Sequence, residues 1–297
     1  MRRLMIALML MLVSCSSADA EIYRQGAVHV IYERAGETAV NPTDLNLNGV
    51  PDAIEDIATQ LNAARELFHD VCGLPDPLGS ERYKNATVIE VDIDLKSRMG
   101  HNGLAYSGKR KSADDPNVTA LHVRIASSVD AHKNPTAAHE YFHLIQYGAT
   151  YFRNGWYLEG MARWSQDSVQ AIKKYPTVRS VKATLDNKAS VAEILKAKYK
   201  TADLLWYPLA LECKDKLKIP RRLLNKYRYV DGAPVFEDNI IYGANVMKRV
   251  LSVMHSQEDR AAEAFGGRKK WRNDGVRSDK NNEIILECVR AVLDERR

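Results

Sequence analysis

Apolar positions in the first half of the chain mostly alternate with polar ones, which predicts strands. Val and Ile dominate these stretches, at residues 27–32, 87–93 and 121–126. Residues 53–71 differ, because their apolar side chains recur at helical spacing until Gly73 and Pro75 end the pattern. A glycine-containing stretch between the second and third strands is predicted to be a loop, around Gly100, Gly103 and Gly108.

The second half of the chain is predicted to be mainly helical. Asn134 as N-cap and Pro135 at the first position predict the start of a helix that Gly148 ends. Further helices are predicted at 156–169, 208–217, 220–227, 243–255 and 283–296, with a loop at 266–280. Strands followed by helices indicate an α+β fold, with a small N-terminal sheet before a mainly helical half.

Composition and charge are those of an ordinary globular protein. The chain has 297 residues, of which 45% are hydrophobic, and a formal net charge of +5. Basic residues are scattered and no nucleic-acid-binding motif accompanies them, so no nucleic-acid partner is expected. A single domain is predicted over residues 21–297.

Residues 1–20 are typical of an export signal. Arg2 and Arg3 precede an apolar run over residues 4–13, which is too short to span a bilayer. Leu-Val-Ser before Cys15 resembles a lipobox, which predicts a lipid anchor on that cysteine and a bacterial outer-membrane lipoprotein. The alternative cleavage site is the small-x-small sequence at 18–20, which predicts a secreted or periplasmic protein. The lipobox is preferred, because it explains a cysteine directly after the apolar run.

Three more cysteines lie in the exported part of the chain, at Cys72, Cys213 and Cys288. Export permits disulfides. Any one of three pairings is compatible with the sequence, and each leaves one thiol over.

His139-Glu140-Tyr141-Phe142-His143 carries the strongest chemical signal in the sequence. Residues four apart lie on one face of a helix, so His139 and His143 can bind one metal ion. Zinc accepts nitrogen and carboxylate ligands, and a catalytic zinc site uses three protein ligands and a water molecule. Glu140 lies beside the first ligand, where it can act as general base. The alternative is an accidental match on a helix surface.

Glu159 is the predicted third ligand. It follows His143 by 16 residues in the sequence Glu159-Gly160-Met161-Ala162-Arg163-Trp164. After a turn, the second helix can run back past the first and present this carboxylate. A histidine as third ligand, as in the metzincins, would need Gly and His where Gln146 and Ala149 stand.

Residues 44–55 match a twelve-residue calcium loop. Gly49 occupies the sharp turn at position 6. The predicted ligands are the side chains at positions 1, 3, 5, 9 and 12 and the main-chain carbonyl at position 7, which are Asp44, Asn46, Asn48, Asp52, Glu55 and Val50. The alternative is an Asn- and Gly-rich turn in which Asp52 caps the following helix.

The zinc motif and its glutamate resemble the gluzincins, the clan of thermolysin-like and aminopeptidase-like enzymes. Together with the calcium-like loop and the Gly-x-Pro-x-Pro turn at 73–77, they resemble a group of secreted bacterial metalloproteases. The resemblance covers residues 40–215. It implies a thermolysin-like helical half and a tyrosine or histidine that stabilises the oxyanion, for which Tyr207 is the choice here. The alternative for Tyr207 is a packed aromatic side chain.

These observations predict an exported zinc endopeptidase that acts on protein or peptide substrates, with Glu140 as general base. Endopeptidase activity is preferred because the Gly-x-Met-x-Asn motif of the aminopeptidases is missing upstream. Calcium is predicted as a second, structural ion. The alternative function is a non-catalytic, metal-binding surface lipoprotein that keeps the peptidase fold.

Overall fold

Five strands form one mixed sheet in the N-terminal half of the protein. The computed structural model describes residues 20–170 and 180–295. Its strands are β1 (Glu21–Gln25), β2 (Val28–Tyr32), β3 (Ala86–Asp94), β4 (Gly103–Lys111) and β5 (Thr119–Ala126). They lie in the order β1-β2-β3-β5-β4. The inner strands β2, β3 and β5 are parallel, whereas β1 and β4 are antiparallel to their neighbours. Strand β4 is therefore an edge of the sheet.

Helices make up most of the remaining structure. They are α1 (Asp52–Glu66), α2 (Lys96–Met99), α3 (Thr136–Ala149), α4 (Gly155–Ser165), α5 (Val181–Asp186), α6 (Lys188–Lys196), α7 (Tyr207–Glu212), α8 (Arg221–Lys226), α9 (Ala244–Ser256), α10 (Glu258–Glu263), α11 (Arg268–Lys270) and α12 (Asn282–Glu295). A small antiparallel pair, β6 (Lys216–Lys218) and β7 (Ile240–Tyr242), lies among them. The chain is thus a mixed α/β protein, with the sheet first and the helices after it.

Helices α1 and α3 cover one face of the sheet. Alternate residues of β2 are buried beneath them, as the two-residue period of a strand requires. Phe68, just after α1, packs edge-to-face against Phe142 of α3 with ring centroids 5.5 Å apart. Each such fully buried side chain contributes about 1.5–3 kcal/mol. The helix that carries the histidines is therefore anchored in the main hydrophobic core.

The other face of the sheet carries a network of charged side chains that holds the edge strand in place. Arg110 of β4 donates hydrogen bonds to Glu90 and Asp92 of β3, across the intervening strand β5. His122 of β5 contacts Asp92 at 2.7 Å. Burial opposes ionisation of Asp92, but His122 and Arg110 outweigh it and hold the pKa of Asp92 well below its usual range.

The start of α3 is capped by a side chain from another helix. The predicted N-cap, Asn134, does not fill this role, because its side chain accepts the Thr136 hydroxyl instead. Oε1 of the fully buried Gln60, on α1, accepts from the main-chain N–H of Ala137 at 3.1 Å. Gln60 therefore fixes the first turn of α3 relative to α1.

Most predicted elements are confirmed, with boundaries shifted by a few residues. The helix predicted at 208–217 is wrong at its end, because α7 ends at Glu212 and Lys216–Lys218 pair with β7 as a strand. The loop predicted around Gly100, Gly103 and Gly108 is wrong, since β4 begins at Gly103 and pairs with β5. The loop predicted at 266–280 is wrong in part. It contains α11 and a further helical turn, Trp271–Gly275, because Trp271 is fully buried. Strand β1 and helices α5 and α6 were not predicted.

The apolar run and Cys15 of the predicted export signal lie outside the described residues. Within the described ranges, no helix combines the length and apolarity needed to cross a membrane. Cys72 and Cys288 are buried free thiols. Burial raises the pKa of each to about 12, so both stay protonated at neutral pH.

Candidate metal centre

Helix α3 presents His139, Glu140 and His143 on the side that faces α4 and the edge strand β4. All three side chains are almost fully buried. The two imidazole rings lie nearly perpendicular, with centroids 4.7 Å apart. The spacing of four residues therefore places both rings around one point, as the sequence predicts.

The connection between α3 and α4 turns the chain so that Glu159 faces the histidines. Arg153 closes the end of α3 by donating hydrogen bonds to the main-chain carbonyls of Tyr147, Thr150 and Phe152. Helix α4 then runs back along α3. Oε2 of Glu159 lies 3.4 Å from Nε2 of His139 and 3.7 Å from Nε2 of His143.

These three side chains fit a tetrahedral metal ion. One ligand atom from each lies within 4.8 Å of the other two. Tetrahedral zinc with bonds of 2.0–2.2 Å separates its ligand atoms by about 3.3–3.6 Å, close to the two distances from Glu159. Oε2 of Glu159 is buried, with no hydrogen-bond partner among the described residues. A buried carboxylate oxygen without a donor is costly, and a cation between it and the imidazoles would satisfy it.

The pKa values of the two carboxylates at the site shift in opposite directions. Burial favours the neutral form of Glu159, but the imidazoles of His139 and His143 outweigh it and hold the pKa of Glu159 well below its usual range. Burial raises the pKa of Glu140, although the same imidazoles and a main-chain hydrogen bond from Ala105 oppose the shift. Glu159 is therefore ionised and suited to bind a metal, whereas Glu140 holds a proton more readily.

Two glutamines hold the far side of the imidazole rings. Oε1 of Gln146 lies 2.8 Å from Nδ1 of His143, and its amide also donates to the Leu158 carbonyl of α4. This contact keeps the proton of His143 on Nδ1 and leaves Nε2 open for a metal. Nε2 of Gln166 lies 3.0 Å from Nδ1 of His139. In that contact the Gln166 amide donates to Nδ1, so the proton of His139 is on Nε2. If Nε2 bound a metal, the proton would move to Nδ1, and His139 would donate to the Gln166 side chain instead.

Tyr199 and Tyr147 have rings beside the histidines of the cluster, whereas Tyr207 does not line either cavity there. Tyr207 is buried, and its hydroxyl donates to the Arg163 carbonyl at 3.2 Å. The ring of Tyr199 lies 5.8 Å from that of His139. Partial burial and the charge of Glu159 raise the pKa of Tyr199 well above its usual value, so its hydroxyl remains a donor at neutral pH. The choice of Tyr207 therefore needs correction.

Gly160 allows the segment that carries Tyr199 to approach α4. A β-carbon at Gly160 would lie 2.7 Å from the side chains of Thr201 and Trp206, closer than side chains tolerate. This contact explains the glycine next to the third ligand in the Glu-Gly-x-Ala-x-Trp sequence. It also brings Tyr199 close to the cluster of His139, His143 and Glu159.

Two cavities open on opposite sides of the cluster. The larger cavity has a volume of about 690 Å³ and extends along β4 toward Tyr147, and the smaller one, of about 370 Å³, extends toward Asn134. Both are lined by the same five residues at the centre, His101, Gly103, His139, Glu140 and Tyr199. The cluster therefore lies within a continuous cleft along the edge strand.

The calcium-like loop lies apart from this cleft, at the start of α1. The side-chain amides of Asn46 and Asn48 both donate to the carboxylate of Glu55, at 3.0 and 2.9 Å. Asp44 accepts the main-chain N–H groups at the sharp turn, where Gly49 has a φ of +84°. Asp52 accepts the N–H of Leu45 rather than capping α1. Of the predicted ligands, Asn46, Asn48 and Glu55 converge directly.

Sequence reasoning missed several residues of the site. Gly103 and β4 were missed because the stretch looked like a loop. Tyr199 and Gln166 carried no signal, since no motif surrounds them. Gln146 could have been found from its spacing, because a residue three positions after His143 lies beside it on the helix.

Comparison with family models, with curated proteins and with solved structures returned no match to this chain. The chemistry of the cleft is therefore inferred from its own residues.

Gly103→Ala tests the contact between the edge strand and the candidate general base. A β-carbon at this position would lie 2.6 Å from Cγ and Oε1 of Glu140, so the carboxylate must move. We expect any catalytic activity that uses Glu140 to fall about 10²-fold, because small displacements of a reacting group are that costly. The amount of metal bound should be unchanged. Gly108→Ala, on the same strand with open space around it, is the control. Equal activity of the two variants would contradict the contact.

Proposed function

We propose that the protein is a zinc-dependent endopeptidase with a thermolysin-like arrangement of its two central helices. The observation that best supports this proposal is the convergence of His139, His143 and Glu159 on one point, with Glu140 beside them. Two imidazoles and one carboxylate form a donor set that zinc accepts in catalytic sites. When bound, zinc polarises a carbonyl group and lowers the pKa of a water molecule.

Glu140 is the proposed general base. Its carboxylate would take a proton from the attacking water and return it to the amine that leaves when the peptide bond breaks. Burial raises the pKa of Glu140 toward the range in which a carboxyl group can both accept and donate a proton. The Ala105 hydrogen bond and the contact with Gly103 hold the carboxylate in place.

A peptide is the proposed substrate because the cleft follows an edge strand. Residues 103–107 of β4 line the larger cavity, and one side of this strand has no strand neighbour in the sheet. An extended peptide can pair with such an edge through main-chain hydrogen bonds. The cleft continues on both sides of the cluster, which supports cleavage within a chain rather than at its end.

Tyr199 is the proposed oxyanion-stabilising residue. Its hydroxyl lies near Glu159 and stays protonated, so it can donate to the negative charge that develops on the scissile carbonyl oxygen. Its side chain is half-exposed, which allows it to move toward a bound peptide.

Calcium is the proposed second ion, with a structural role. The side chains of Asn46, Asn48 and Glu55 converge in the loop before α1, and calcium binding would turn the amide oxygens of the two asparagines toward the ion in place of their N–H groups. Glu55 and Asp52 are buried, so neutralisation of their charge by a cation would favour the folded loop. We also propose that residues 1–20 direct export of the protein and that Cys15 carries a lipid anchor.

The central test is proteolysis of an unfolded protein and of a quenched peptide library by the full chain. We expect cleavage that chelation abolishes and zinc restores. Glu140→Gln should lower the rate about 10²–10⁴-fold because the general base is lost, with zinc still bound. His143→Ala should lose the zinc, measured by elemental analysis. If wild type and Glu140→Gln behave alike in every assay, the protein is instead a non-catalytic surface protein that binds metal.

Paired tyrosine variants test the role of Tyr199. Tyr199→Phe should lower kcat about 10²-fold with little change in KM, since the donor acts in the transition state. Tyr207→Phe is the matched control. It removes a hydroxyl that bonds to a main-chain carbonyl in the core, so it should cost about 1 kcal/mol of stability and leave kcat near wild type. The reverse pattern would assign the role to Tyr207.

Calcium binding should appear as thermal stabilisation. With zinc held constant, calcium at about 100 times its Kd should add about 2.7 kcal/mol to the free energy of unfolding and raise Tm by several degrees. Glu55→Gln should remove most of this shift, because it deletes the charged ligand at the last loop position. The same shift in wild type and variant would show that the loop does not bind calcium.

A further inference from the structure

The larger cavity carries two basic side chains that are not used to hold the fold. Lys198 and Arg277, which are far apart in the sequence, both line this cavity, and both side chains are exposed. Within the described ranges, neither side chain forms a hydrogen bond or an ion pair. These two charges are therefore available to a ligand.

Arg277 is held at the cleft by its neighbours in the chain. The main-chain N–H of Arg153 donates to the Val276 carbonyl at 2.7 Å, and the side chain of Asn154 donates to the Ser278 carbonyl at 3.0 Å. Both donors belong to the connection between α3 and α4. The main chain on each side of Arg277 is thus tied to the element that positions Glu159.

Lys198 is held in a less common way. It opens the short turn Lys198–Lys200 with a φ of +42°, in the left-handed region that few side chains adopt. The next residue is Tyr199, which lies over the cluster. The turn is pressed against α4 by the contact between Gly160 and Thr201. Tolerated backbone strain of this kind is concentrated at functional sites.

The rest of the cleft does not cancel these charges. Arg153, in the floor of the larger cavity, and Arg163, in the smaller one, donate to carbonyl oxygens and to the Gln166 amide rather than to carboxylates. The carboxylates that line the two cavities are Glu140 and Glu159, which belong to the metal centre. Outside the cluster, the charged side chains of the larger cavity are therefore all basic, and cations gathered in a concave surface focus the electrostatic potential more than scattered surface cations do.

We propose that Lys198 and Arg277 select peptide substrates with Asp or Glu next to the scissile bond, on the side that occupies the larger cavity. This inference rests on the proposed peptidase function. The acidic side chain would pair with the two cations while the peptide main chain pairs with β4. A lysine at the same substrate position would meet repulsion instead of attraction, which widens the discrimination.

A matched peptide set tests the proposal by cleavage. The peptides share one sequence and carry Glu, Gln or Lys at successive positions on either side of the scissile bond. On one side, we expect kcat/KM to be about tenfold higher for Glu than for Lys, since exposed charge pairs are individually weak but two act together. The preference should fade from about 0.01 M to about 1 M salt, as the Debye length shrinks from about 30 Å to about 3 Å.

Variants then assign the preference to residues. Lys198→Gln and Arg277→Gln should each reduce the Glu-to-Lys ratio about threefold, and the double variant should bring it near one. Lys182→Gln and Arg221→Gln are the controls, because both cations are exposed and line neither cavity. A ratio unchanged in the double variant, or changed equally by the controls, would overturn the proposal.

Binding separates this inference from the peptidase function itself. The Glu140→Gln protein, loaded with zinc, is titrated with fluorescent Glu and Lys peptides and followed by anisotropy. The inference is supported if the Glu peptide binds more tightly than the Lys peptide and if Lys198→Gln and Arg277→Gln remove this difference. This holds even if the wild type cleaves no peptide. If the wild type cleaves peptides but binds and cleaves all of them equally well, the inference is overturned and the peptidase function is still supported.

Discussion

A carboxylate oxygen buried between two imidazoles is the interaction on which the candidate site of this protein depends. Oε2 of Glu159 lies 3.4 Å from Nε2 of His139 and 3.7 Å from Nε2 of His143, and it has no hydrogen-bond partner among the described residues. Such a charge is costly to bury unless positive charge accompanies it. The packing of α3 against α4 therefore requires either protonated histidines or a cation between the three side chains. The proposed function follows if a cation is bound there.

Contacts outside the cluster keep these two helices at that distance. Gln60 caps the start of α3 from α1, and Arg153 closes its end. Gln146 connects His143 to the main chain of α4. On the other side, Gly160 lets the segment with Tyr199 pack closely onto α4. Each contact is made between elements distant in sequence, so the site is a property of the whole packed core.

The edge strand β4 gives the cleft its direction and its chemistry. Arg110 ties β4 to Glu90 and Asp92 through a buried ionic network, so the strand is held although one side of it has no strand partner in the sheet. Its glycine at position 103 makes room for Glu140. The strand thus serves the proposed general base and the proposed peptide together. The uncancelled cations at the rim add a charge preference to a cleft whose main-chain recognition would otherwise be indifferent to sequence.

The pattern of residues along the chain predicts the cluster of His139, His143 and Glu159, with Glu140 beside it, and the order of sheet and helices. These features are local: four residues of spacing place two histidines on one helix face, and apolar periodicity reports which residues face a core. Tertiary structure decided the rest. Only packing shows that a glycine-rich stretch is an edge strand, that Gln60 caps α3 in place of Asn134, and that Tyr199 approaches the cluster while Tyr207 is buried. These outcomes depend on contacts between residues far apart in the chain, for which a single sequence carries no periodic signal.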